Sequence, residues 1–285
     1  MTSSSNLYKI DESRPLDRVT LHILSVVTRV TSDLKIPYMV VGATARDLLL
    51  FHVFGISITR ATADVDFAIA VDSWERFHQL RAALLVGHEF KEGKLEHRLY
   101  LRAVEEIPVD IIPFGGVAED DVIHWPPERE TAMTVAGFDD AIRAAVHVEV
   151  NDNLTVPVVS LAGIAILKLF AWSDRPTNDK DALDLYRVAT TYADAGNLDR
   201  LYGNEIRFLE QSGFDMELAG AAILGFDARL LCSAETLSKV RSLLSTANFV
   251  EKLPERIRLS RFPLEPEQLS RILLLLSRFS EQLMQ

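Results

Sequence analysis

Apolar residues recur at three- and four-residue intervals through Leu16, Val19, Ile23, Val26, Val27 and Val30. That is the spacing of one helical face, and it predicts a helix packed against a sheet. The polar residues ahead of it predict no element. Pro37 ends the pattern, and Tyr38-Met39-Val40-Val41 reads as a short apolar strand running into Gly42, followed by a helix over 43–51. Val65 to Val71 is the next strand, with Asp64 and Asp66 at its start, and Ser73 is placed to cap a helix over 74–85. Residues 98–102 and 109–112 alternate as neighbouring strands, the second closed by Gly115-Gly116. The polar cluster Asn151-Asp152-Asn153 predicts a hairpin between 147–150 and 156–159.

From Ser160 the strand signals fade, and helices are expected over 161–172, 179–193, 198–211, 219–231, 233–244 and 267–283. The pattern predicts an α+β chain: a domain over 1–155 with a mixed sheet flanked by helices, then a mainly helical domain over 156–285.

Composition narrows the function classes. The net charge of −11, from 41 acidic and 30 basic residues, argues against a uniformly basic nucleic-acid surface, although a local basic rim suffices for a small RNA end. The single Cys232 is expected to be a small buried apolar residue, and the absence of Cys/His metal spacing points to a reducing cytosol. No apolar run reaches the roughly 18 residues that a membrane span needs, so a soluble cytoplasmic protein is expected.

Asp64-Val65-Asp66 puts two carboxylates at i and i+2, on one face of a strand and about 7 Å apart by strand rise. Alone, such a pair is more often a solvated strand end. Asp110 adds weight because it sits inside Ile107-Pro108-Val109-Asp110-Ile111-Ile112, where a buried unpaired carboxylate would cost several kcal/mol. No basic residue adjoins it in sequence, so a metal is the expected compensation. Three converging carboxylates suit Mg²⁺ or Mn²⁺ with phosphate oxygens as the remaining ligands.

Val41-Gly42-Ala43-Thr44-Ala45-Arg46 reads as a strand, a Gly turn and a helix start, which offers N–H groups and a hydroxyl to an anion; a plain strand-to-helix turn is the alternative. Arg60 and Thr62 precede the Asp pair and could meet a phosphate, or Arg60 is an exposed loop residue. Lys168 lies in a strongly apolar helix, from which its ammonium could reach a triphosphate or snorkel to the surface. Asp181 and Asp184 share a helix face and could orient Lys168 or Arg175 by ion pairing, or be a solvated face.

In order, these segments resemble the nucleotidyltransferase superfamily related to DNA polymerase beta, and more closely the AbiEii/AbiGii toxin family. The resemblance covers roughly residues 38–186, and its most discriminating piece is the run from Lys168 through Arg175 to Lys180-Asp181-Ala182-Leu183-Asp184. It implies a minimal nucleotidyltransferase fold that binds an NTP with Mg²⁺ or Mn²⁺, so that an acceptor hydroxyl attacks the α-phosphate and pyrophosphate leaves. It also implies that Asp64 and Asp66 hold both metals and that Asp110 binds the catalytic one and helps deprotonate the hydroxyl. Lys168 neutralises phosphate charge, Gly42 and Thr44 shape the phosphate site, and Asp181 and Asp184 support. Nucleotide contacts would come from Gly42, Ala43, Thr44, Arg46, Arg60, Thr62, Lys168 and Arg175. Where the superfamily has Gly-Gly or Gly-Ser, this chain has Gly42-Ala43, and Thr44 is the candidate replacement for the hydroxyl.

The acceptor stays open at this level: an RNA such as tRNA, with a cognate antitoxin as partner, or a small-molecule hydroxyl of the antibiotic type. A third reading is a catalytically silent nucleotide- or protein-binding module. No Gly-x-Gly-x-x-Gly, Walker A or Gly-x-Ser-x-Gly motif competes with these.

Overall fold

The computed structural model describes residues 6–57, 64–87, 89–102, 107–126, 132–175, 179–246, 252, 257 and 265–285. The chain divides into two compact units, Met1–Ser160 and Leu161–Gln285. The division falls beyond the expected 155 because the strand Leu154–Val158 pairs on both its edges inside the first unit.

The first unit carries a mixed eight-stranded sheet. Its strands are β1 (Leu7–Lys9), β2 (Tyr38–Val41), β3 (Val65–Val71), β4 (Phe90–Glu92), β5 (Arg98–Leu101), β6 (Ile107–Gly115), β9 (Val146–Asn151) and β10 (Leu154–Val158), in the order β1-β9-β10-β2-β3-β6-β5-β4. A separate hairpin pairs β7 (Val122–His124) with β8 (Ala132–Thr134). β3 runs parallel to β6 and antiparallel to β2, and β5 returns antiparallel to β6.

Helix α1 (Arg18–Leu34) starts where the Asp17 carboxylate accepts from the Val19 and Thr20 N–H groups and stops at Lys35 in the left-handed conformation. Its buried face of Ile23, Leu24, Val26, Val27 and Val30 covers the sheet, each such side chain contributing about 1.5–3 kcal/mol. Helix α3 (Trp74–Val86), capped by the Ser73 hydroxyl, buries Phe77, Leu80 and Leu84 beside it. Phe67 points to this side, packing on Tyr38, whose hydroxyl meets Thr28 of α1. The alternation of β3 therefore sends Asp66 to the opposite face.

On that face helix α2 (Gly42–Asp47) opens directly from β2 and continues as a π-helical turn over Leu48–Val53. The carbonyls of Phe51 and Val53 at its end accept from the Arg14 guanidinium. Helix α4 (Phe138–Arg143) packs Phe138 against Phe114 of β6.

The second unit is helical: α5 (Leu161–Asp174), α6 (Asp179–Thr191), α7 (Leu198–Tyr202), α8 (Ile206–Gln211), α9 (Met216–Leu231), α10 (Ala234–Leu244) and α11 (Pro266–Met284). Its centre is α9, which packs on α5, α6 and α11. Gly225 lets α9 and α11 meet, since a Cβ there would lie 2.1 Å from the Phe279 carbonyl oxygen. The single helix expected over 198–211 is broken at Gly203 into α7 and α8. Cys232, expected to be buried, is half-buried at the end of α9, with its thiol pushed up to about 11 by burial.

Candidate active site

Four strands line up one residue each across the sheet face opposite α1 and α3. Register pairs Val41 of β2 with Asp66 of β3, Asp66 with Asp110 of β6, and Asp110 with Arg98 of β5. Parallel neighbours lie about 4.8 Å apart, so Asp66 and Asp110 present their carboxylates side by side. Asp64 precedes β3 by one residue and is partly exposed.

Gly42 fixes the position of Asp66. It stands at φ +67, and a Cβ there would fall 2.1 Å from Asp66 Oδ2, so the carboxylate packs onto the bare backbone where α2 opens. The Thr44 hydroxyl donates to the Asp64 backbone carbonyl at 2.9 Å, tying α2 to the segment that carries the Asp pair. Thr44, the candidate hydroxyl for the phosphate site, is buried here with its proton given to that carbonyl. Arg46 is also engaged, its Nε and Nη2 donating to Asp47 Oδ1 at 2.8 and 2.6 Å. Ala43 follows Gly42 in the first turn of α2. Arg60 and Thr62 lie outside the described residues.

Asp110 is buried, as its apolar strand predicts, but a basic partner is present. Arg98 donates from Nε to Oδ1 at 2.7 Å and from Nη2 to Oδ2 at 2.6 Å, a two-point ion pair across neighbouring strands. The absence of an adjacent basic residue in sequence is therefore corrected by register, which brings one from twelve positions away. The hydrogen-bonded Asp110 carboxylate drives the Arg98 pKa further above its ordinary value, with burial opposing and Tyr100 adding to the rise. Beside Arg98, burial lowers the His97 pKa below its ordinary 6.5, against the pull of Asp110. The His97 ring lies 4.9 Å from that of Trp125.

Paired carboxylates on adjacent strands are the hard-oxygen chemistry that Mg²⁺ or Mn²⁺ takes, and the pressing of Asp66 onto Gly42 fixes one of them in place. In donor type and adjacency the residues fit such an ion. Among the described residues no group of three or more His, Cys, Asp or Glu stands gathered around one point. On one flank of Asp110 the neighbour is Arg98.

In the second unit, Lys168 of α5 reaches across to α6, where its ammonium meets Asp181 Oδ1 at 2.9 Å and Asp184 Oδ2 at 2.7 Å. Arg175 adds a bond to Asp181 Oδ2 at 3.1 Å. Of the two expectations for Asp181 and Asp184, ion pairing is therefore the one observed. Burial, the largest influence, pulls the ammonium toward neutrality, but Asp184 and Asp181 together outweigh it and hold the Lys168 pKa above the ordinary lysine value. The phosphate contacts expected of Lys168 and Arg175 rest on the resemblance.

The family described as nucleotidyl transferase AbiEii toxin, type IV TA system, matches residues 25–231. The chain belongs to that family. As an AbiEii nucleotidyltransferase it has the fold that the resemblance implies, a mixed sheet flanked by helices followed by a helical region. Among solved structures it is similar to the antibiotic-resistance factor ANT(2'')-Ia at 14% identity, over 70% of this chain and 98% of that one, with a TM-score of 0.40. It is also similar to the lincosamide antibiotic adenylyltransferase LnuA, bound to lincomycin, at 15% identity over 61% and 97%, TM-score 0.37. The Thermotoga maritima CCA-adding enzyme complexed with tRNA matches at 15% identity over 91% and 70%, TM-score 0.32. No curated protein matches the sequence. Among the described residues, no helix of this AbiEii chain is long and apolar enough to cross a membrane.

Arg98 is the site residue missed in the sequence. Its signal was present: pairing the two expected strands as a hairpin, 101 with 107, sets 98 opposite 110.

Proposed function

We propose that this chain transfers an NMP from an NTP to a hydroxyl of an RNA acceptor, with tRNA as the first candidate, and acts in the cytoplasm as the toxin of a pair with a cognate antitoxin. The observation that supports this best is the adjacency of Asp66 and Asp110 on parallel strands, with the Asp66 carboxylate pressed onto Gly42 at the opening of α2.

On this reading Asp64, Asp66 and Asp110 hold Mg²⁺ or Mn²⁺. Bound there, a divalent ion offsets triphosphate charge and lowers the pKa of a hydroxyl that reaches it. Asp110 takes the acceptor proton as the new oxygen–phosphorus bond forms at the α-phosphate and the bond to the departing pyrophosphate breaks. The Gly42 and Ala43 N–H groups face the phosphates, and Arg60 and Thr62 add donors from the segment before Asp64.

The test is incubation of the purified protein with each labelled NTP, Mg²⁺ and total tRNA, with an aminoglycoside and a lincosamide as parallel small-molecule acceptors. Label is expected in RNA, and label in a small molecule alone overturns the RNA acceptor. Asp66→Asn is expected to lower transfer by on the order of 10²-fold or more without shifting the melting transition. Undiminished transfer by that variant overturns the site assignment.

A further inference from the structure

Asp110 stands between opposites: Asp66 on one side in the sheet and Arg98 on the other. Two carboxylates on adjacent strands repel, and Asp110 is buried enough that an unbalanced charge there would be costly. Arg98 provides the balance by holding both Asp110 oxygens, and a guanidinium keeps its charge at any pH the protein experiences.

The seat of Arg98 is built into the fold. Gly93 donates its N–H to the Arg98 carbonyl at 2.9 Å, and a Cβ on Gly93 would lie 2.6 Å from that oxygen and 3.1 Å from the Arg98 Cβ and Cγ. The turn thus presses on the stem of Arg98, whose side chain as a whole is 29% exposed.

We propose that Arg98 is a resident counter-cation of the carboxylate pair. It holds Asp110 in place when no divalent ion is present and keeps cation affinity low until a triphosphate arrives, so that metal and nucleotide bind together. This rests on the reading that Asp66 and Asp110 bind the ion. The physical basis is direct: a divalent ion at Asp110 must share the carboxylate with a positive charge already bonded to both oxygens, and nearby like charge weakens binding. A triphosphate carries enough negative charge to offset both cations, and Arg98 is then free to turn toward it.

The experiment measures Mn²⁺ binding to the full-length protein from the EPR signal of free Mn²⁺, with and without inorganic triphosphate. Wild type, Arg98→Gln, Arg98→Lys and Asp66→Asn are compared. Arg98→Gln is expected to bind Mn²⁺ alone about tenfold more tightly than wild type and to gain less from triphosphate. Its melting temperature should lie below wild type without metal and recover on adding Mn²⁺. Binding of Mn²⁺ alone by Arg98→Gln no tighter than by wild type overturns the proposal. Should Arg98→Gln fail to fold even with Mn²⁺, Arg98→Lys decides. Lysine donates from one point and frees part of the carboxylate, so affinity above wild type supports the proposal and equal or weaker affinity overturns it. Asp66→Asn separates the two levels. Transfer retained by that variant removes the underlying reading, whereas loss of both transfer and Mn²⁺ binding in it, with Arg98→Gln unchanged from wild type, removes only the role of Arg98.

Discussion

Two ionic clusters, one in each unit, use the same chemistry to different ends. In the sheet unit two carboxylates stand side by side, and Arg98 holds both oxygens of Asp110 from the neighbouring strand. In the helical unit one cation, Lys168, is enclosed between Asp181 and Asp184 at 16% exposure and joins α5 to α6. The first cluster sets two carboxylates next to each other on parallel strands, which suits a site that takes up a cation. The second holds its charges in a closed brace, which suits a structural joint. Carboxylate count alone would not separate them; what differs is how the charges are arranged, side by side on strands in one and bridged between two helices in the other.

The largest effect expected from breaking that comparison is on the brace. Lys168→Met takes one of the two cations from Asp181, 3% exposed, leaving Arg175 as its cationic partner among the described residues, and removes the bond to Asp184. Uncompensated buried charge of this kind costs about 3–5 kcal/mol. Urea unfolding followed by circular dichroism should show the midpoint fall accordingly. A midpoint unchanged from wild type would mean that the cluster is not a structural joint.

Gly42→Ala should have the next largest effect, on the open site. The substitution meets both a positive φ and the Asp66 carboxylate, for about 1–3 kcal/mol of strain, and it moves Asp66 off its seat, so transfer should fall with stability. Combining it with Asp66→Ser removes the colliding carboxylate. The double variant should therefore lose less stability than the sum of the two single changes in chemical denaturation, and simple additivity would show that the two residues do not press on each other.

Strands β2 and β3 were legible to the residue: β2 is an apolar run between Pro37 and Gly42, β3 is apolar apart from Asp66 and stops at Asp72, and Ser73 marked the start of α3 for the reason that N-caps do. The three-residue strands were not legible. Leu7–Lys9 is mostly exposed and polar around its centre, and it is a strand only because its backbone pairs with His147, Val148 and Glu149 of β9. The helix expected over 198–211 runs through Gly203, where the backbone leaves the helical region and splits the segment. For the site, spacing exposed Asp64, Asp66 and Asp110. The partners that decide their behaviour, Arg98 for Asp110 and Gly42 for Asp66, come from other strands and turns and depend on register, which local pattern does not carry. The bond from the Thr44 hydroxyl to the Asp64 carbonyl, twenty residues away, was likewise beyond local pattern.

The smallest effect is a pH response that sharpens the comparison without changing either ion pair's partners. Burial lowers the pKa of His97, with Asp110 and Glu96 pulling it up and Arg98 pushing it down. The unfolded chain takes up that proton near the ordinary 6.5 and the folded chain resists it. His97 therefore leaves stability whole above about 6.5 and erodes it as pH falls toward the folded-state pKa. Lys168 has the opposite sign: its raised pKa gives a contribution that is full below 10.5 and lost only as pH climbs through the folded-state value. Between pH 5 and 9, of these two groups only His97 should respond. NMR of the His97 Cε1–H should give a midpoint below 6.5, and His97→Gln should flatten the acid side of the melting curve. A midpoint at or above 6.5 would mean that the attraction of Asp110 outweighs burial and Arg98 together. The same resonance also reports on Arg98. In Arg98→Gln the repelling guanidinium is gone and Asp110 is left unbalanced, so the His97 midpoint should rise, and Mn²⁺ bound at the carboxylates should bring it back down.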